Sequence, residues 1–299
     1  MKLIFALFFL CAIYGSSAQN KSPEVYSLES SQFMDRFDAY LSNINSKPET
    51  IDITAEFWDT SKVKIDYDTE VSYPIHVQFE DTIYASPISR QKVITSRYGW
   101  RKGRAHKGID IDLITGDSLY AMFDGIVRFA NYSSGHGRTV VVRHFNGLET
   151  VYAHLSRYGV KENDTVVAGS YLGKGGNSGN SRGSHLHLEM NYKGISVNPE
   201  YLLNFDENNE IRSKNIWITK TWTRPELHSS KRQSKLETFS TEEEAIANMN
   251  RAPLIYTVKK GDTLSRISSR NNTSITALCK SNHLKFNSTL RIGQKLIIE

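Results

Sequence analysis

Two short stretches concentrate the residues that could do chemistry. His106-Lys-Gly-Ile-Asp110 sets an imidazole four residues before a carboxylate, and His185-Leu-His187 sets two imidazoles on an apolar run with Leu186, Leu188 and Met190. On a strand, side chains repeat every two residues, so His185, His187 and Glu189 share one face while Leu186, Leu188 and Met190 pack the other. Two imidazoles and one carboxylate can hold Zn²⁺ with a fourth position left for water, the arrangement of a catalytic rather than a structural site. The two stretches offer one ligand more than that, which points to a catalytic histidine beside the metal ligands. Glu189, on the same face, either orients a ligand or faces solvent.

These residues need a scaffold, and the texture around them supplies one. From Ile94 to about Tyr201, short β-branched and aromatic runs alternate with glycine: Gly125-Ile-Val-Arg-Phe, Arg138-Thr-Val-Val-Val-Arg-His, Thr150-Val-Tyr-Ala-His. That punctuation predicts a mainly antiparallel β domain. The Gly-rich run from Gly173 to Gly183 offers a backbone that can approach an extended peptide closely. Upstream, Ser31 to Ile44 reads as one amphipathic helix, and Ile75, Val77 and Phe79 alternate with polar residues as a half-buried strand. Downstream, Ile216 and Ile218 beside Trp217 and Trp222 read as a hairpin, with the tryptophans covering it or stacking on sugar. Thr241 with Glu244 forms a capping box before a short helix.

The chain has 299 residues, 39% hydrophobic and 23% charged, with two cysteines and a formal net charge of +5. Length suggests about two folded units, and the balance excludes wholesale disorder, collagen-like repeats and a multi-span membrane protein. Two cysteines make neither a disulfide framework nor a Cys-rich zinc site. Lys2, the apolar run Leu3 to Tyr14 and the small residues Gly15 to Ala18 read as a signal peptide cleaved after Ala18. The run is shorter than the roughly 20 residues of a membrane span. Export to the periplasm, cell envelope or medium is therefore expected, with no transmembrane segment in the mature chain.

Four ordered motifs now carry a resemblance. Ile94-Thr-Ser-Arg-Tyr-Gly-Trp-Arg, His106-Lys-Gly-Ile-Asp110, Tyr152-Ala-His-Leu-Ser156 and the stretch Gly176 to Glu189 with His185-Leu-His187 resemble the lysostaphin/LytM-type zinc metalloendopeptidases of bacterial cell-wall metabolism. The likeness covers about Ser86 to Tyr201. It implies that His106, Asp110 and His187 hold one Zn²⁺ per chain and that His154 and His185 are the catalytic pair. A histidine suits that task, because its unperturbed pKa of about 6.5 lets it accept a water proton, while its N–H can stabilise an oxyanion. His76, His136, His144, His228 and His283 match no ligand position and read as structural.

The C-terminal stretch resembles a LysM domain through Gly261-Asp262-Thr263-Leu264, Asn282 and Gly293-Gln294-Lys295-Leu296, in the order β-α-α-β. Such domains bind glycans containing N-acetylglucosamine, so the resemblance implies a groove built from Gly261, Asp262, Thr263 and Leu264 and from the residues Asn282 to Lys285. Cys279 beside Leu278 reads as a core residue.

The expected fold class is therefore α+β and multidomain. It comprises a signal peptide (1–18), an acidic N-terminal region (19–84), a LytM-type β peptidase domain (85–205), a linker (206–253) and a small LysM domain (254–299). The expected activity is hydrolysis of cross-linking or stem peptides of peptidoglycan, with the glycan bound by LysM; nucleic acid is not an expected partner. The alternative is a non-catalytic wall-binding protein or an activator of other wall hydrolases. Charge is unevenly spread: about −8 over 19–84, +6 over 85–205, 0 over 206–253 and +6 over 254–299. Two cationic modules suit an anionic wall polymer, and the acidic region either covers the peptidase cleft or is simply solvated.

Overall fold

The structure is a computed structural model and describes residues 52–67, 70–79, 83–101, 104–205, 210–251 and 254–298. The expected signal peptide and the helix over Ser31 to Ile44 lie outside these residues.

Among the described residues, one large sheet dominates. In chain order its strands are β1 (Ile94–Ser96), β2 (Ile109–Asp112), β3 (Gly125–Ser133), β4 (Gly137–His144), β5 (Leu148–Leu155), β6 (Thr165–Val166), β7 (His185–Tyr192) and β8 (Ile195–Val197). They lie in the order β6-β3-β4-β5-β7-β2-β1, with β8 paired beside β7. Every pairing is antiparallel, so short turns suffice to connect neighbours. The fold is thus mainly antiparallel β with few helices, as the glycine-punctuated runs predict.

The two faces of the sheet differ in kind. Leu186, Leu188 and Met190 of β7, Ile109 and Ile111 of β2, Tyr152 of β5 and Val140 and Val142 of β4 are fully buried in one apolar core. The opposite face carries His187, Glu189 and Asp110. Register fixes their neighbours: His187 pairs with Asp110 across β2 and with Ala153 across β5, and Glu189 pairs with Val151. Because the side-chain period is two, one residue of slip would bury the histidines in the apolar core. The continuous hydrophobic face is therefore what aims the polar one.

The core does not stop at residues 85 and 205. The strand Ile75–Gln78 pairs with Asn215–Ile218, and Ile75, Val77, Ile216, Ile218, Trp222, Phe239 and Ala245 join the same core. The stretch read as a linker is thus packed into the same fold as the large sheet. Asn215–Ile218 finds its partner far upstream rather than in a local hairpin, and its apolar residues Ile216 and Ile218 are buried in that core. Trp222 is buried, stacked on Tyr201 at 4.4 Å and beside Phe239, and Trp217 stacks on His76 at 4.3 Å. Of the two readings of the tryptophans, packing holds. Thr241 Oγ1 caps the helix Glu242–Met249 by accepting from Glu244 N.

The C-terminal module pairs Leu254–Thr257 with Lys295–Ile298 around the helices Leu264–Arg270 and Ile275–Ser281. Thr263 and Ser274 cap the two helices. Val258, Leu264, Ile267, Leu278, Cys279, Leu296 and Ile298 form its separate small core.

Candidate metal centre and active site

Three ligand-type atoms meet on the polar face. His106 Nε2 lies 2.9 Å from Asp110 Oδ1 and 3.1 Å from His187 Nδ1, and His187 Nδ1 lies 2.8 Å from Asp110 Oδ1. A tetrahedral zinc site with bonds of 2.0–2.1 Å has ligands about 3.3 Å apart. The three side chains need to open by only a few tenths of an ångström to fit it.

Their outer atoms are all tied down. His106 Nδ1 donates to the Arg97 carbonyl at 2.7 Å, which turns Nε2 inward. His187 Nε2 donates to Glu189 Oε1 at 3.1 Å, which turns Nδ1 inward. Asp110 Oδ2 accepts from Arg101 Nη1 at 2.7 Å, leaving Oδ1 for the centre. Such outer partners fix ring orientation and raise ligand basicity. Glu189 thus orients a ring rather than facing solvent.

The local field favours positive charge at this point. Burial alone would lower the pKa of His187, yet hydrogen bonds and attraction from Asp110 and Glu189 raise it to about 9. Burial opposes ionisation of Asp110, but its hydrogen bonds with His106 and His187 hold it well below the usual carboxylate range. A divalent cation meets the same electrostatic demand and competes with the proton on the ring. The donor set of two nitrogens and one carboxylate oxygen suits zinc.

A second pair stands beside the three. The His154 and His185 rings are 4.7 Å apart, His154 is 5.8 Å from the His187 ring, and His185 Nε2 is 3.6 Å from Asp110 Oδ1. His154 Nδ1 donates to the Ser178 carbonyl at 2.8 Å and His185 Nδ1 to the Gly183 carbonyl at 2.8 Å. In both rings Nε2 is left as the proton-accepting atom. Burial, then the neighbouring His187 and His185 rings, lowers the pKa of His154 to about 4, so the His154 ring is neutral at neutral pH. His154 has a φ of +64°, a left-handed conformation that costs a non-glycine residue energy and that clusters at functional sites. The Gly-rich run thus supplies the carbonyls that orient both rings.

One residue read as structural belongs to the site. His136 Nε2 lies 3.3 Å from Glu189 Oε1, and its ring is 5.9 Å from that of His187. Together with Asn191 Nδ2 at 3.4 Å, it surrounds the buried Glu189 carboxylate with donors. Burial would raise the pKa of Glu189, but hydrogen bonds from His136 and His187 hold it well below the usual range.

The five positions named in the C-terminal module build its loops. Asp262 accepts from Tyr256 Oη at 2.7 Å and Lys259 N at 2.8 Å, and the Gly261 carbonyl accepts from Arg266 Nη1. Thr263 is the helix cap, and Leu264 lies in the core. Asn282 bonds the Ile297 backbone through both side-chain atoms, each at 2.7 Å. The side chains of Asp262 and Asn282 are hydrogen-bonded within the module and Leu264 is packed in its core, while Thr263 caps its helix and stays exposed.

Residues 104–199 match the family model described as Peptidase family M23, and residues 256–299 match the LysM domain. The DD-carboxypeptidase/endopeptidase Mpg of Neisseria meningitidis serogroup B is 39% identical over 112 residues, 36% of this chain and 26% of its own length. The murein hydrolase activator NlpD of Salmonella typhimurium is 36% identical over 107 residues, 36% of this chain and 28% of its own. The chain spans about a quarter of the length of the curated relatives it matches. A solved catalytic domain of the prophage-encoded M23 protein EnpA from Enterococcus faecalis is 35% identical, covering 39% of this chain and 95% of that one, with a TM-score of 0.37. The chain carries an M23 peptidase domain and a C-terminal LysM domain.

Proposed function

We propose that this chain with M23 and LysM domains is an exported zinc metalloendopeptidase that cuts peptide bonds in the cross-links or stem peptides of peptidoglycan, held to the glycan by its LysM domain. The observation that carries this reading is the convergence of His106 Nε2, Asp110 Oδ1 and His187 Nδ1 within 3.1 Å of one another, with His154 and His185 alongside. His106, Asp110 and His187 would hold the zinc. Bound there, it supplies a Lewis acid for the scissile carbonyl and lowers the pKa of a bound water to about 7.

The chain's own residues do the rest. His154 and His185, each with Nδ1–H tied to a backbone carbonyl, present Nε2 to take the water proton. Once protonated, that nitrogen is a donor that can pass the proton to the leaving amine or stabilise the oxyanion. Arg97, Arg101 and Glu189 keep the ligand atoms aimed throughout. Export rests on the N-terminal sequence pattern, and the cationic peptidase and LysM stretches draw the chain to an anionic wall.

Incubation with purified peptidoglycan tests the reading. Peptide-bond fragments, identified by mass spectrometry, should appear with the protein alone, stop on chelation and return with added zinc. Release that ignores chelator would overturn the zinc reading. The relative named as a murein hydrolase activator supports a second reading, in which the chain alone releases nothing but accelerates a separate wall hydrolase. Glu189→Gln should weaken zinc affinity about 10- to 100-fold, as loss of an outer-shell partner does, measured by competition with a chromophoric chelator. Unchanged affinity would show that Glu189 has no hold on His187.

A further inference from the structure

The LysM module is fastened to the peptidase fold. Ser274 Oγ donates to the Glu226 carbonyl, Lys280 Nζ pairs with Glu226 Oε1 at 3.1 Å, and Arg232 Nη1 reaches Ser269 Oγ. At this junction lies a cleft of about 290 Å³, walled on the peptidase side by Trp100, Ser229 and Arg232 and on the LysM side by residues that include Ser268, Thr276 and Phe286.

The lining suggests the ligand class. Six of its ten residues are Ser or Thr, two are aromatic, one is Arg and none is acidic. A cation site would need carboxylates, and a polyphosphate or nucleic-acid site would need several cations. Ser268, Ser269 and Ser274 already spend their hydroxyls within the protein, on the Ser265 carbonyl, Arg232 and the Glu226 carbonyl, whereas those of Ser265 and Thr276 line the cleft without such a bond among the described residues. Hydroxyls that both donate and accept match the hydroxyl and acetamido rim of a pyranose, and aromatic rings suit its apolar C–H face. Phe286 is 65% exposed and stands outside the module's core, so packing does not account for it.

The backbone of Trp100 is held in place. Its backbone N–H donates to the His228 carbonyl at 3.0 Å, and its backbone bridges that of Ser229. Gly99 has a φ of +143°, and a Cβ there would sit 2.6 Å from the His228 backbone, so only glycine lets the two segments meet. In the hairpin Gly99–Arg101/Arg104–His106, Gly99 pairs with His106, and Arg101 bonds Asp110.

We infer that this junction is a glycan subsite that seats an N-acetylated sugar residue between Trp100 and the LysM helices. The inference rests on reading the LysM module as glycan-binding. A sugar fixed on the hairpin that carries His106 holds the polymer at a set offset from the candidate metal centre, which is the positional advantage a fixed substrate gives.

The test uses the full chain with chelator present, so that catalysis plays no part, and a tetramer of N-acetylglucosamine as probe. The indole N–H resonance of Trp100, assigned by its loss in Trp100→Phe, should shift saturably with tetramer. Phe286→Ala, at an exposed position that leaves the core intact, should weaken binding about 5-fold, the scale of one aromatic contact. Binding that leaves the Trp100 resonance unmoved and ignores Phe286→Ala would overturn the subsite while leaving the LysM anchor standing. No binding at all would overturn both.

Discussion

His187→Ala will cost the protein both zinc and activity, whereas His154→Ala will cost activity alone. His187 Nδ1 sits 2.8 Å from Asp110 Oδ1 and 3.1 Å from His106 Nε2, so truncation leaves two ligand atoms where a catalytic zinc needs three. It also strips the buried Glu189 carboxylate of one of its hydrogen-bond partners. Losing an outer partner alone costs about 10- to 100-fold, so loss of a ligand should lower hydrolysis by more than about 10²-fold, and zinc content should drop from one per chain towards none. The His154 ring centroid lies 5.8 Å from that of His187, and His154 Nδ1 is bound to the Ser178 carbonyl. Its removal should lower hydrolysis about 10²- to 10⁴-fold, the range for a positioned proton-transfer group, with zinc content unchanged. Metal analysis by atomic emission, run beside fragment release, separates the two. Zinc loss in His154→Ala would make it a ligand, and zinc retention in His187→Ala would remove it from the ligand set.

The site was legible in the sequence where local period and chemistry coincide. On β7, the alternation of Leu186, Leu188 and Met190 with His185, His187 and Glu189 can be satisfied in only one way by a sheet with one apolar face. His136 was not legible. It lies in the turn between β3 and β4 and enters the site because the His154 N–H donates to its carbonyl and because Gly137 packs against Gly179. The Gly135-His-Gly137 sequence is the only local trace of that close approach. Pairing of Ile75–Gln78 with Asn215–Ile218 was equally hidden, because periodicity identifies a strand but not its distant partner. Nor do charged residues within apolar strands announce that they are buried, and Arg128, Arg143 and Glu149 are the main case.

Glu149→Ala should destabilise the protein by about 3–5 kcal/mol, the cost of breaking a buried ion pair from one side. Arg128 is fully buried and holds Glu149 through two bonds of 2.6 and 3.0 Å, and Arg143 adds a third at 2.9 Å. A surface pair would contribute about 0–1 kcal/mol, so burial is what makes this carboxylate costly to lose. Without it, two guanidinium groups face each other out of water. Their other donors hold the upstream segment: Arg128 bonds the carbonyls of Asp59, Lys62 and Val63, and Arg143 those of Ile53, Glu56 and Phe57. That segment lies on the site's side of the sheet, where Val63 packs on Phe129, Val141 and Val151, and Val151 is the cross-strand partner of Glu189. Residues 52–67 are therefore tied to this face through their backbone carbonyls, while the acidic side chains of Asp52, Glu56 and Asp66 stay exposed to solvent. Chemical denaturation should show the loss of stability, and limited proteolysis of the variant should cut first within residues 52–67. A loss below about 1 kcal/mol, with those residues still protected, would mean that the backbone carbonyls alone satisfy both arginines, leaving Glu149 the role of an ordinary surface charge.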